Sequence, residues 1–423
     1  MEGDDVLNAE ELALACNEDG EFRLAARRWN GAVRFHIGEE VMGLSLRDGV
    51  AKPWSVADLG VPTVVYSGGE EAWAALLSAR PPRLFNDLLP AESVGGLVRS
   101  GDELAYWQYY PAVARIVEIL RTAAGPAPNE GREAPTAAAS RRFDSPVGRY
   151  VHLELEGVDH RIYFEEAGQG IPLLLQHTAG SHGVQYRHLF EMPEITDDFR
   201  LIAYDLPFHG KSVPPASEPW WTMQYRLTRG FAMSVPVALS QALGLERPAF
   251  MGCSVGGLLA LDLACFHPDE FRAVIALEPA LKVPGATEGL LGFWHPAVGN
   301  ESKARMMHAL TAPDAPESLR RETVWAYSCG WPPAFIGDLH YYIDDHDLRD
   351  LAGSIDTARC QVHLLNGEYD FSGTVELGRE AHEAIAGSSF QAMDGIGHFP
   401  MSEDPERLRD YLLPILEAIK SAS

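Results

Sequence analysis

The sequence predicts an α/β protein, and three observations carry that expectation. Short apolar runs rich in Val, Ile and Leu recur along the last two thirds of the chain, as in strands buried on both faces. Helical patterns of apolar residues separate them, and such alternation implies a mostly parallel sheet with helices on both faces. One serine, Ser254, stands between glycines where a run (Pro248 to Met251) gives way to a helix.

The elements follow in chain order. In residues 1–124, "VRFHIGEEVMGLSLRDG" reads as two strands joined at Gly38-Glu39-Glu40, and "PTVVYSG" as a third. "EEAWAALLSA" reads as a helix and "ELAYWQYYPAVARIVEILR" as a long amphipathic one. This block is expected to be a small α+β domain. Residues 125–148 are rich in Pro, Ala, Gly and Ser, cannot bury enough apolar surface to pack, and read as a linker. From residue 149 onward, "VHLELEG" and "HRIYFEE" suggest a hairpin around Val158-Asp159. "PLLLQ", "FRLIAYD", "PAFMG", "AVIAL", "QVHLLN" and "SFQAMDG" complete eight strands. Helices are expected at Val184–Ile195, Met223–Leu243, Gly257–His267, Glu376–Ala386 and Pro405–Ile419. Functional groups should gather beyond the carboxyl ends of the strands.

Composition limits the partners. Of 423 residues 46% are apolar and 22% charged, and the net charge is -26, which repels phosphate backbones and anionic lipid headgroups. No apolar run is long enough to cross a membrane. The acidic opening MEGDDVLNAEE lacks the plan of a signal peptide. Five scattered cysteines with no CxxC pair suit free thiols, so a cytoplasmic setting is expected. The histidines lack metal-ligand spacing and no phosphate-cradling loop appears, so neither metal nor nucleotide cofactor is expected.

Gly252-Cys253-Ser254-Val255-Gly256 has the G-x-S-x-G form of a nucleophile elbow. The tight turn exposes the hydroxyl, and its neighbours must be small. A serine hydroxyl needs a base. His398, in a Gly-x-Gly-His loop before the terminal helix, is the candidate. Asp370 at the end of "LLNGEYD" is the leading acid to orient it, with Glu368 and Glu278 as competitors. The Val255 amide, opening the helix, is one candidate donor to a substrate oxyanion.

With these motifs, "HTAGSHG" and "YDLPFHGKS", the block 149–423 resembles the α/β-hydrolase superfamily. The resemblance implies an eight-stranded fold with a helical cap at about residues 281–356, and nominates Ala179 as the second oxyanion donor although Thr178 replaces the usual glycine. It makes Asp205 and His209 structural or pocket-lining. His177, Trp294, Trp325, Trp331 and Tyr341 are the candidate substrate-binding residues, several of them in the aromatic-rich cap segment. The expected activity is hydrolysis of a carboxylic ester, lactone or thioester of a medium-sized apolar or aromatic small molecule through an acyl-enzyme. Amide or carbon–carbon bond hydrolysis on the same triad, and a non-catalytic receptor for a hydrophobic ligand, are the alternatives. Residues 1–124 are faintly similar to sterol carrier protein-like domains, which hold a lipid, and a homodimer through this block is the competing expectation.

Overall fold

A computed structural model describes residues 7–133, 143–285 and 287–422, the side chains of residues 288, 289 and 291 excepted. The central part of the expected linker, residues 134–142, lies outside the described residues. The chain divides into two compact units, Met1–Arg132 with His295–Asp314, and Glu133–Trp294 with Ala315–Ser423.

The first unit has a five-stranded sheet in the order β3-β2-β1-β4-β5: β1 Gly31–Ile37, β2 Glu40–Arg47, β3 Val50–Pro53, β4 Thr63–Gly68 and β5 Val98–Gly101. β1 and β2 form the expected hairpin, with Ile37 opposite Glu40 and Gly38 at φ +59°. The edge strands β3 and β5 went unanticipated because each is four residues long, mostly exposed and without alternation. The expected long helix spans Glu103–Ala123, and the Asp102 carboxylate accepts from the Ala105 amide to cap it. Trp29, Phe35, Tyr66 and Trp73 are buried in this unit.

One segment expected within the cap, His295–Asp314, belongs instead to this first unit. Its helix Asn300–His308 carries Arg305, which is buried and pairs with Asp87 at 3.5 Å and with Glu118. Among the described residues, Asp87, Glu118 and His308 are the one grouping of metal-ligating type. Arg305 lies against all three, 3.0 Å from His308 Nδ1, so the guanidinium already supplies the positive charge there.

The second unit is an eight-stranded sheet in the order β13-β12-β11-β10-β8-β9-β7-β6. Its strands are β6 Val147–Leu155, β7 Val158–Ala167, β8 Ile171–Gln176, β9 Phe199–Tyr204, β10 Ala249–Cys253, β11 Ala273–Leu277, β12 Gln361–Gly367 and β13 Ser389–Met393. Neighbours from β13 to β9 are parallel, and β9, β7 and β6 pair antiparallel. β6 thus starts inside the stretch read as linker. β10 and β11 are buried at every position, which explains their uninterrupted apolar text. Leu173, Leu175, Met251 and Ile275 meet Leu412 and Ile415 of the terminal helix Pro405–Ser421 in one core cluster.

Two expected helices differ. Val184–Ile195 is a 3₁₀ run, Gly183–Glu191, followed by the single turn Pro193–Thr196. Pro193 holds Met192 extended (φ -102°, ψ 100°), which breaks the helix. The helix expected from Met223 begins at Arg229, where the Thr228 hydroxyl accepts from the Phe231 amide.

Arg305→Ala leaves two acidic groups of the first unit without their buried counter-charge. A stability loss of about 3–5 kcal/mol is expected, measurable as a lowered midpoint in urea unfolding.

Candidate functional site

The site begins at the carboxyl end of β10. There the chain must reverse from strand to helix Val255–Phe266 within one residue, and Ser254 takes that turn at φ 59°, ψ -112°. A left-handed φ is costly for a residue with a Cβ and persists only where the surroundings fix it. Here they do. The Ser254 amide donates to the Leu277 carbonyl of β11 at 3.0 Å. A Cβ on Gly252 would lie 2.3 Å from the Gly256 oxygen, and one on Gly257 would lie 2.2 Å from the Leu277 oxygen. The glycines are a steric requirement of the turn.

His398 follows β13 in a loop pinned from three sides. Glu403 accepts from the Gly397 amide at 2.6 Å, the Tyr369 amide donates to the Ile396 carbonyl at 2.9 Å, and Gly367 leaves no room for a Cβ beside the Gly397 oxygen (2.3 Å). The elbow touches the same loop, because the Cys253 thiol donates to the His398 carbonyl at 3.1 Å. Burial pushes the Cys253 thiol well above its ordinary range, with Glu278 and Asp370 adding to the effect, so it stays a thiol.

Asp370 meets the imidazole: His398 Nδ1 lies 2.6 Å from Asp370 Oδ2. The Asp370 carboxylate also accepts from the Ser372 and Gly373 amides at 2.7 and 3.0 Å. Burial alone would raise its pKa, yet His398 and the two amides outweigh that and hold it below the usual carboxylate range. The competing acids are occupied elsewhere. Glu368 accepts from the Gly395 amide at 2.9 Å. Glu278 accepts from the Gly367 amide at 2.8 Å, and burial, then the neighbouring Asp370 charge, push its carboxyl well up.

The loop after β8 carries the second candidate amide. Thr178 and Gly180 on either side of Ala179 spend their amides on Gln185 Oε1 (3.1 Å) and Asp338 Oδ2 (2.7 Å). The Ala179 and Val255 amides have no hydrogen-bond acceptor among the described residues. The Thr178 hydroxyl is used as well, donating to Gln185 and bonding to the Tyr327 hydroxyl.

The expected substrate-binding residues fall in different surroundings. His177 is fully buried and binds only backbone: Nδ1 donates to the Thr178 carbonyl at 2.8 Å, and Nε2 accepts from the Leu206 amide at 3.1 Å. It is a neutral ring that shapes the loop, and burial followed by nearby His209 keeps its pKa low. Tyr341 is buried with its hydroxyl on Asp262 at 2.6 Å, on helix Val255–Phe266. Trp294 and Trp325 are exposed at 45% and 59%. Trp331 lines a pocket of about 300 Å³ with Phe208, Trp220, Tyr225 and Phe231, a set that does not include Ser254. The residue that does reach Ser254 is Tyr342, whose hydroxyl interacts with those of Ser254 and Ser372, the latter at 3.1 Å. Position in an aromatic-rich segment was its sole sequence signal. Asp338 carried none.

Residues 171–304 match the family profile described as alpha/beta hydrolase fold. A pimeloyl-[acyl-carrier protein] methyl ester esterase of Neisseria meningitidis serogroup C is 26% identical over 235 residues, covering 52% of this chain and 85% of that protein. A 2-hydroxymuconate semialdehyde hydrolase of a Pseudomonas species is 31% identical over 135 residues, 32% of this chain and 45% of that protein. Among solved structures, an esterase from Thermogutta terrifontis superposes with a TM-score of 0.56 at 19% identity, over 64% of this chain and 99% of that one. The enol-lactonase from Burkholderia xenovorans gives 0.54 at 19%, over 64% and 100%. The second unit of this chain thus has the α/β-hydrolase fold, and residues 171–304 match that family's profile.

Proposed function

We propose that the second unit is a serine hydrolase that cleaves carboxylic esters, lactones or thioesters of medium-sized apolar molecules through an acyl-enzyme. The observation that carries this reading is the left-handed Ser254 at the end of β10, joined through Cys253 to the loop whose His398 is held by Asp370. Relatives whose names are esterases support the same bond type.

In this reading His398 removes the Ser254 proton as the hydroxyl attacks the carbonyl, and Asp370 stabilises the imidazolium. The amides of Val255 and Ala179 receive the developing negative charge, each worth about 3 kcal/mol of barrier. His398 returns the proton to the departing alcohol, then activates water to release the acid. Glu278, neutral beside Asp370, stays out of the relay. Trp331 and its aromatic neighbours form an apolar wall distant in role from the reacting atoms.

The first unit is read as a carrier of an apolar ligand or as a dimerisation module, with no catalytic part. The setting is read as cytoplasmic, supported by five free cysteines; no helix among the described residues is long and apolar enough to cross a membrane.

A serine-directed phosphonate is expected to leave one adduct, on Ser254, by mass spectrometry. A panel of nitrophenyl esters, lactones, thioesters, amides and vinylogous diketones should show turnover that Ser254→Ala abolishes. Activity surviving that substitution excludes the mechanism. Asp370→Asn should lower kcat by about 10⁴-fold, whereas Glu278→Gln keeps most of it; the reverse pattern assigns the acid to Glu278.

Glu278 also predicts a pH effect on stability. A carboxyl whose pKa is raised in the folded state stabilises fully below its unfolded value, and that contribution is lost as pH rises toward the folded value. The wild type should therefore lose stability upward from the ordinary Glu range. Thermal melts of Glu278→Gln should show that slope flattened.

A further inference from the structure

The oxyanion loop is gripped from the cap side by residues to which the mechanism above gives no part. Gly180 sits at φ +62°, and its amide donates to Asp338 Oδ2 at 2.7 Å. Asp338 lies on helix Pro332–Leu339 and is fully buried. Its Oδ2 also lies 2.8 Å from His209 Nε2, and its Oδ1 accepts from the Tyr225 hydroxyl at 3.2 Å. The other ring nitrogen, His209 Nδ1, lies 2.9 Å from the Pro207 carbonyl. Both ring nitrogens therefore face acceptors that cannot donate while Asp338 is ionised, so both carry hydrogen and the ring is an imidazolium. The result is a buried ion pair whose carboxylate has its remaining lone pairs filled by an amide and a hydroxyl.

Steric contact makes the grip tight. A Cβ on Gly180 would lie 2.7 Å from Phe335 Cβ, and one on Gly330 would lie 2.4 Å from the Gly180 oxygen. The amide and the carbonyl of Gly180 are thus both set by the cap segment that carries Asp338.

We propose that Asp338, charge-balanced by His209, is a positioning residue for the oxyanion hole: it fixes Gly180, and through it the neighbouring Ala179 amide, only when the cap is seated. The proposal rests on the hydrolase reading, because the Ala179 amide matters only if an oxyanion forms. It makes seating of the cap and completion of the hole one event.

Charge on the pair sets a pH range for the device. Facing His209 are Asp338 from the cap, Asp205 after β9, His177 after β8 and Tyr225. His182 and Lys211 stand close to Asp205. Asp205 is already engaged by the amides of Gly183 and Lys211 at 2.8 and 2.7 Å. Burial opposes charge on His209, and Asp338 more than offsets it, so the pKa is raised. The ion pair is then lost only as pH rises through that raised value, which strands an uncompensated carboxylate beside the loop.

The experiment uses the full chain and a soluble nitrophenyl ester, with kcat and KM measured from acid to alkaline pH for the wild type, Asp338→Ala, Asp338→Asn and His209→Gln. Asp338→Ala should lower kcat about 10²-fold with KM within about threefold, the signature of an interaction made in the transition state. Asp338→Asn keeps an oxygen for the Gly180 amide and should recover to within about tenfold of wild type. The wild type should show a descending alkaline limb in kcat that both Asp338→Asn and His209→Gln remove. Wild-type kcat in Asp338→Ala overturns the proposal, as does an alkaline limb unchanged in His209→Gln. Equal losses in the Ala and Asn variants, with KM rising as the melting temperature drops, reduce Asp338 to a structural residue and also overturn it. If Asp338→Ala does not fold, the pH profiles of the other two variants decide alone. Turnover retained in Ser254→Ala defeats the hydrolase reading and this proposal with it, whereas turnover lost there but unaffected by Asp338→Ala defeats this proposal alone.

Discussion

The geometry of the second unit depends on how little space surrounds the chain where β10 ends. Gly252, Gly256 and Gly257 each lie so close to a carbonyl oxygen that a single added carbon would overlap it. Strand, turn and helix are therefore locked together, and Ser254 is left with a backbone conformation that a free peptide would avoid. The same crowding sets the floor of the site. Gly256 rests on Gln176 at the end of β8 and Gly257 on Leu277 at the end of β11, so the elbow takes its position from both neighbouring strands.

Around that floor, burial of charge is handled by pairing. Asp370 has His398 with two amides and a pKa held low; Glu278, a short distance away, has one amide and a pKa pushed well up by burial and by Asp370. Two buried carboxylates side by side cannot both ionise cheaply, and the one with more donors keeps its charge. A similar rule holds at Asp262 on helix Val255–Phe266, which receives the Tyr341 hydroxyl and lies 3.0 Å from His346 Nδ1. Cap-segment tyrosines thus end on acids and hydroxyls of the sheet body, and only Tyr342 of that pair reaches the serine.

Much of this was legible in the text of the chain. The central strands of the second unit announce themselves because they are buried and thus apolar, the opening hairpin by its alternation, and Ser254, Asp370 and His398 each sit in a short motif at a strand's end. Residues that act through direction rather than type were not legible. Trp294 has the chemistry of a pocket wall and is largely exposed, while Asp338 is one acid among many in a helix without a motif. His177 looked like a ligand-facing histidine, yet both its nitrogens end on backbone, a fact that needs the Leu206 amide to be brought back beside it. Short edge strands such as β3 lack the alternation that burial on one face imposes.

The first unit is assembled from two stretches of sequence, with the second unit's elbow and six of its eight strands encoded between them. Its helix Asn300–His308 is ordered in the text after Ser254, and Arg305 on that helix is what neutralises Asp87 and Glu118. On the ribosome the N-terminal unit must wait for most of the other unit to be made before its own last helix exists. The two halves are therefore interleaved rather than strung like beads, and neither boundary offers a clean place to cut one away or to graft it onto another protein.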